Sequence, residues 1–326
     1  MNNSENDIME KIGEKIYVPV ICGPTASGKT DLGVRLALKC GGEIVSADSM
    51  QIYKGMDIAS AKPTKEEMQG IPHHLMDFLP PTKAFSVADY VDMAHKVIED
   101  IYNRGKLPII VGGTGLYISS LINNIKFDDT GSDPEFREEM RTLAEKQGNE
   151  VLWEKLKEVD PKAAEKLHPN NQNRIIRALE VYKLSGSTIT EAQEKSRLSE
   201  SPYKACFIMP YHPREILYQR IDKRVDIMLE MGLLEEAKEF FTHKDYVTAA
   251  QAIGYKELKS YLDGEKSLEE CVDKLKQATR NYAKRQLTWF NKEKSLNRID
   301  MSKGLTDKDF EHIVEMIGNK EQKFTF

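Results

Sequence analysis

Near the N-terminus, Gly23-Pro24-Thr25-Ala26-Ser27-Gly28-Lys29-Thr30 has the spacing GxxxxGK[ST]. Glycines at those positions let backbone N–H groups converge on phosphate oxygens, and a helix starting beside the lysine adds its positive end. Lys29 supplies a mobile cation for a terminal phosphate, and the Thr30 hydroxyl is placed to ligate Mg2+. The motif predicts a pyrophosphate cradle without saying which phosphate compound fills it. A second candidate is Asp48, in Asp48-Ser49-Met50-Gln51. Its carboxylate could act as a general base, ligate a metal, or only cap a turn.

Those residues need elements to hold them. Residues 16–22 are a short apolar, β-branched run ending in the glycine-rich loop, and Leu32, Val34, Leu36 and Leu38 predict a helix from Thr30 to Lys39. A second strand, Glu43 to Ala47, ends at Asp48, which in a doubly wound sheet would face the phosphate loop across the strands' carboxyl ends. Residues 86–104 read as a helix, Leu107 to Val111 as a third strand, and Cys206 to Met209 as a fourth. Strands alternating with helices predict an α/β fold, a P-loop NTPase-like parallel sheet flanked by helices. Switch and motor NTPases place an acidic residue after an apolar strand to hold the metal, and a further residue to orient water. Here the third strand ends in Gly112-Gly113-Thr114-Gly115 instead, which favours a transferase acting on a bound phosphate ester.

Strand-like runs vanish between about residues 128 and 200, where helical patterns cover Asp133 to Lys146, Asn149 to Val159, Asn171 to Leu184 and Thr190 to Ser196. The predicted organisation is a tail at 1–14, an α/β core at 15–127 and 201–315, an all-helical insertion at 128–200, and a tail at 316–326. Long amphipathic helices are expected at 214–243 and 265–294, with Met228, Leu229 and Met231 in the core. The four cysteines, Cys22, Cys40, Cys206 and Cys271, form no CxxC pair, so reduced thiols in a cytoplasmic protein are expected. No apolar run approaches the roughly 18 residues of a membrane span, and the polar N-terminus does not resemble a secretory signal.

Six ordered blocks narrow the reading: GPTASGKT, SADSMQIYKGMDIASAKPT, IPHHLMDF, IIVGGTGLY, HPNNQNRIIRALEVY and AIGYKE. Together they closely resemble the bacterial tRNA dimethylallyltransferases, also called tRNA isopentenylpyrophosphate transferases, over about residues 17–290. The resemblance implies transfer of a dimethylallyl group from its pyrophosphate, with Mg2+, to the exocyclic amine of the adenosine 3′ of the anticodon. It implies that Asp48 is the general base and that Gly23, Pro24, Thr25, Ala26, Ser27, Gly28, Lys29 and Thr30 hold the pyrophosphate, with Thr30 toward the metal. Arg224 matches the arginine that reaches the pyrophosphate, and Thr114 would lie near the flipped base. Asp48, Ser49, Met50 and Gln51, then Gln172, Asn173, Arg174, Ile175 and Ile176, then Gln251, Ala252, Ile253, Gly254, Tyr255 and Lys256, would lie against tRNA. The inserted helices would clamp the anticodon stem. A monomer is expected, and no Cys/His-rich extension is present to add a zinc-finger contact.

Residue chemistry agrees with this expectation. An allylic centre gains cationic character as its pyrophosphate leaves, so fixed N–H groups and cations on the leaving group help. The adenine amine is a weak nucleophile and needs a base and a pocket outside the base stack. His73-His74 reads as structural or channel-lining, since no third ligand cluster accompanies it. Between Lys274 and Arg298 eight cations (Lys274, Lys276, Arg280, Lys284, Arg285, Lys292, Lys294, Arg298) face only Glu293, with Tyr282, Trp289 and Phe290 interleaved. That stretch predicts an RNA phosphate contact in a chain of net charge −5. Two alternatives remain, an adenylate isopentenyltransferase, which would need neither the insertion nor the basic stretch, and a small-molecule P-loop kinase; the intact Lys29, Thr30 and Asp48 argue against a non-catalytic RNA-binding protein.

Overall fold

The computed structural model describes residues 15–127, 131–196, 200–243, 246 and 252–318. By internal packing the chain divides into two compact units, Met1–Ile122 with Pro202–Phe326, and Asn123–Ser201. Residues 123–127 and Ser201, predicted in the core, therefore fall with the helical unit.

The first unit is built on a parallel sheet. Strands β1 (Ile16–Cys22), β2 (Gly42–Ser46), β3 (His73–His74), β4 (Leu107–Gly112), β5 (Tyr203–Tyr211) and β6 (Asn297–Asp300) lie in the order β3-β2-β4-β1-β5-β6. Central β1 pairs with β4 through Val20↔Ile110 and with β5 from Ile16↔Tyr203 to Ile21↔Ile208. Its residues alternate faces: Val18, Val20 and Cys22 enter one core, while Tyr17 and Ile21 enter the other. The first core is closed by α3 (Val87–Asn103) and α4 (Gly115–Ile122), through Tyr90, Ala94, Ile98, Tyr117 and Leu121. The second is closed by α1 (Lys29–Cys40) and α14 (Asp307–Gly318), through Leu32, Leu36, Phe310 and Ile313. Burial on both faces explains why the strands read as continuous apolar runs.

A third cluster joins the segment after β2 to α10 (Arg214–Glu230), α11 (Leu233–Phe240), α12 (Tyr255–Leu262) and α13 (Leu268–Phe290). Helix α2 (Lys65–Met68) is a single capped turn in that segment. The predicted helical stretch at 214–243 divides at Gly232, whose left-handed φ of 100° starts α11. Met228 and Leu229 pack on this cluster, whereas Met231, expected in the core, is 57% exposed. The expected tail at 316–326 is also corrected, because α14 runs to Gly318 and buries Ile317.

The helical unit comprises α5 (Pro134–Gln147), α6 (Glu150–Val159), α7 (Pro161–Lys166), α8 (Gln172–Ser185) and α9 (Ile189–Ser196). Its core gathers Met140, Leu152, Leu156, Ile175 and Ile176, and the unit also buries Glu180 completely. Burial raises that carboxyl's pKa, but bonds from Arg137, the Asp133 amide and Arg177 outweigh it and bring it to about 2. All four cysteines are free and buried. Among the described residues no helix is long and apolar enough to cross a membrane.

Candidate active site

The loop from Gly23 to Lys29 connects β1 to α1 at the sheet's carboxyl edge. Gly28 takes a left-handed φ of 94° there, which a glycine adopts without strain and which aims the first turn of α1 at the loop's concavity. Lys29 folds back, its ammonium donating to the Pro24 carbonyl at 2.6 Å. Burial lowers the Lys29 ammonium to about 8, with the charge of Asp48 opposing and that of Arg224 adding. The Ser27 hydroxyl is buried without a hydrogen-bond partner among the described residues. An orphaned hydroxyl inside a phosphate-type loop fits an anion that would engage it.

Asp48 follows β2, and its Oδ1 accepts from the Met50 N–H at 2.9 Å and the Gln51 N–H at 3.4 Å. This turn leaves the second carboxylate oxygen outside the turn's own bonds. The loop after β4 is laced to it: the Thr114 N–H donates to the Ala47 carbonyl at 3.0 Å, and Thr114 Oγ1 accepts from the Ser49 N–H at 3.0 Å. Thr114 thus holds the Asp48 turn against β4. Gln51 is occupied internally, donating to the Ser60 and Ala61 carbonyls at 3.3 and 3.2 Å.

Helix α10 supplies two arginines four residues apart, hence on one face. Arg220 Nε donates to the Ala26 carbonyl at 2.8 Å, and Arg224 Nη2 lies 3.4 Å from the Ala61 carbonyl. Both alanines hold left-handed backbone, φ 61° and 52°. Such conformations in residues other than glycine persist only where neighbours over-determine them. Burial lowers the Arg224 pKa, with Glu67 and Asp48 opposing. His212, also buried, meets the Ser27 carbonyl at 3.2 Å through Nε2, and burial followed by Arg220 lowers its pKa.

Sequence reasoning missed Gln286, Tyr282, Arg220 and Glu236 as site-forming residues. Gln286, 5% exposed, bridges the two central loops by accepting from the Thr25 N–H at 2.9 Å and donating to the Gly113 carbonyl at 2.9 Å. Tyr282 lies one turn earlier, within hydrogen-bonding reach of Thr114 and Gln286; burial, then Asp48, raises its hydroxyl. Glu236 fixes the segment after the Asp48 turn, accepting from the N–H groups of Asp57, Ile58 and Ala59 and from the Tyr255 hydroxyl. A polar residue in the buried stripe of α13, between Ala283 and Phe290, was the available signal for Gln286.

Other expectations need correcting. Ile175 and Ile176 are buried at 0% and 2% in the helical core, so in that block only Gln172, Asn173 and Arg174 offer side chains outward. Tyr255 is fully buried and Ala252 nearly so, leaving Lys256 as the exposed residue of its block; Gln251 lies outside the described residues. The basic stretch extends past the helix expected at 265–294, since α13 ends at Phe290 and Arg298 sits on β6. Two of its cations are spent internally, Lys276 on Asp226 at 2.6 Å and Arg280 on Asp222 at 2.5 Å. His74 pairs with the buried Glu43, beside Arg104 and Lys106, which is a structural role. Among the described residues no cluster of three His, Cys, Asp or Glu could cage a metal.

A phosphate-type loop, a carboxylate one loop away and two arginines reaching over from α10 define a P-loop transferase centre. A family model described as IPP transferase matches residues 51–293, and the chain belongs to that family. It is 53% identical over 279 residues to a protein named tRNA dimethylallyltransferase from Caldanaerobacter subterraneus subsp. tengcongensis, covering 84% of this chain and 89% of that one. The full-length tRNA isopentenylpyrophosphate transferase of Bacillus halodurans superposes with a TM-score of 0.71 at 45% identity, covering 94% and 97% of the two chains. A eukaryotic dimethylallyltransferase described as acting on tRNA reaches 0.80 at 32% identity, covering 94% of this chain and 81% of that one.

Proposed function

We propose that this enzyme transfers the dimethylallyl group of dimethylallyl pyrophosphate to the N6 amine of the adenosine 3′ of the anticodon in tRNA, releasing pyrophosphate. The observation that carries the reading is that Asp48, on the loop after β2, lies within electrostatic reach of both Lys29 and Arg224, with no acidic residue in Gly112-Gly113-Thr114-Gly115 at the end of β4. In the proposed step the allylic C–O bond breaks, a C–N bond forms, and the N6 proton passes to the Asp48 carboxylate. Lys29 leaves the Pro24 carbonyl for the pyrophosphate, whose growing charge it neutralises together with Arg224 and the loop N–H groups. Thr114 holds the Asp48 turn, so the base stays fixed while the acceptor amine approaches.

Mg2+ takes one or two protein oxygens, phosphate oxygens and water rather than an all-protein cage. Thr30 would supply one such protein oxygen. When bound there the ion would add positive charge to the leaving group. The free, buried cysteines suit a reducing compartment, and we take the enzyme to act in the cytoplasm as a monomer.

The test is incubation of labelled dimethylallyl pyrophosphate with unmodified tRNA, with AMP, or with neither, alongside ATP as a competing donor. Label should enter tRNA alone. Label in AMP but not tRNA would make the enzyme an adenylate isopentenyltransferase, and phosphoryl transfer from ATP would make it a kinase.

A further inference from the structure

We infer that Gln286 is a positioning residue for the pyrophosphate cradle, a role that rests on the function proposed above. Its amide is the direct side-chain link between the loop after β1 and the loop after β4, joining Thr25 to Gly113. The two partners demand opposite chemistry, one N–H donor and one carbonyl acceptor. An amide answers both at once, whereas a carboxylate only accepts and an ammonium only donates. The same pairing fixes which end of the amide carries the oxygen.

Gly113 is shaped to this contact, since a methyl group on it would overlap Gln286 Nε2. Burial makes the link consequential. Without Gln286 the half-buried Thr25 N–H and the buried Gly113 carbonyl would each lose a partner. The Thr25 peptide belongs to the cradle, and Gly113 precedes Thr114, which holds the Asp48 turn. Gln286 therefore sets the distance between the leaving-group site and the base, without touching either substrate.

The experiment compares the full-length enzyme with Gln286→Leu and Gln286→Glu. Magnesium pyrophosphate affinity is measured by calorimetry, and KM and kcat are measured with dimethylallyl pyrophosphate and tRNA. Gln286→Leu should weaken pyrophosphate binding and raise the donor KM about tenfold, the equivalent of one lost buried bond. The KM for tRNA should stay within about twofold. Gln286→Glu keeps an acceptor for Thr25 but donates to Gly113 only when protonated, and burial raises its carboxyl. Its deficit should therefore be large near about pH 9 and shrink toward about pH 6, a pH dependence that loss of packing would not produce.

Unchanged pyrophosphate affinity in both variants, or a Gln286→Glu deficit constant with pH, overturns the inference. If Gln286→Leu does not fold, Gln286→Glu decides alone. Wild-type enzyme that binds pyrophosphate but transfers nothing to tRNA overturns the proposed function instead, and the affinity comparison still reads out Gln286.

Discussion

Lys29 and Gln286 hold the two ends of a single peptide group. The Lys29 ammonium lies 2.6 Å from the Pro24 carbonyl oxygen, and Gln286 Oε1 accepts from the Thr25 N–H of that same peptide at 2.9 Å. One grip can be surrendered and the other cannot. The ammonium is mobile and finds a better partner in a pyrophosphate oxygen, whereas Gln286 is locked by its second bond to Gly113. The cradle thus keeps its shape as Lys29 moves from protein to ligand.

This relationship has a pH signature. Burial lowers the free Lys29 ammonium to about 8, and the protonated form is the one that can pair with a pyrophosphate oxygen. The charge is lost as pH rises, so kcat/KM for dimethylallyl pyrophosphate should fall about tenfold per pH unit above that point. Bound pyrophosphate restores the proton's hold, so kcat should stay flatter over the same range. Initial rates at subsaturating and saturating donor separate the two, and Lys29→Met should have low kcat/KM without this alkaline limb.

Asp48 allows a clean separation of turn from chemistry. Its Oδ1 accepts from two backbone N–H groups, and Asn keeps that acceptor while losing the base. Asp48→Asn should fold and bind tRNA normally while transfer falls by roughly 10²–10⁴-fold, the usual worth of a general base. Single-turnover rates with preformed complex test this. Near-normal turnover would remove Asp48 from the role, and a selective loss of Mg2+ affinity would make it a metal ligand.

How far the sequence carried this site follows from which interactions are local. The strand, phosphate loop and helix from Ile16 to Cys40 are contiguous, and their apolar spacing and glycines declare them. Strand β3 spans two residues, and β6 exposes Arg298 and Asp300 around a single buried Ile299, so neither offers a pattern to read. Gln286 and Thr25 are 261 positions apart, a pairing that no local periodicity encodes. Ile175 and Ile176 failed in the opposite direction. Their block was read as a contact surface, yet on a helix packed against others the apolar members face inward and only their polar neighbours remain outside.

Glu180 should make the helical unit acid-sensitive. Its folded pKa, about 2, lies below the ordinary 4.5, so its stabilisation is complete above the ordinary value and disappears as pH falls through the folded one. Glu180→Gln should cost about 1.5–3 kcal/mol at neutral pH, the range for hydrogen bonds to a charged group. Arg137 and Arg177 are partly exposed and can rehydrate, which limits the loss. Denaturant unfolding of the two full-length proteins should show the gap narrowing between about pH 4.5 and pH 2. A gap independent of pH would assign the loss to packing instead.

The basic stretch after Lys274 should divide into two functional groups. Lys276 and Arg280 are committed to Asp226 and Asp222 on α10, tying α13 to the helix that carries Arg224. Lys284, Arg285, Lys292 and Lys294 are exposed, and none makes an ion pair among the described residues. If the exposed four meet RNA phosphates, replacing any one with Gln should weaken tRNA binding similarly for all tRNAs and reduce the magnitude of the salt-dependence slope by about one. Arg280→Gln should instead leave that slope unchanged while lowering the unfolding midpoint, because its partner is a carboxylate within the protein. Filter binding over a range of salt concentrations, paired with thermal unfolding, separates the groups. A slope altered by Arg280→Gln but not by Lys284→Gln would assign the RNA contact to Arg280 rather than to the exposed cations beyond it.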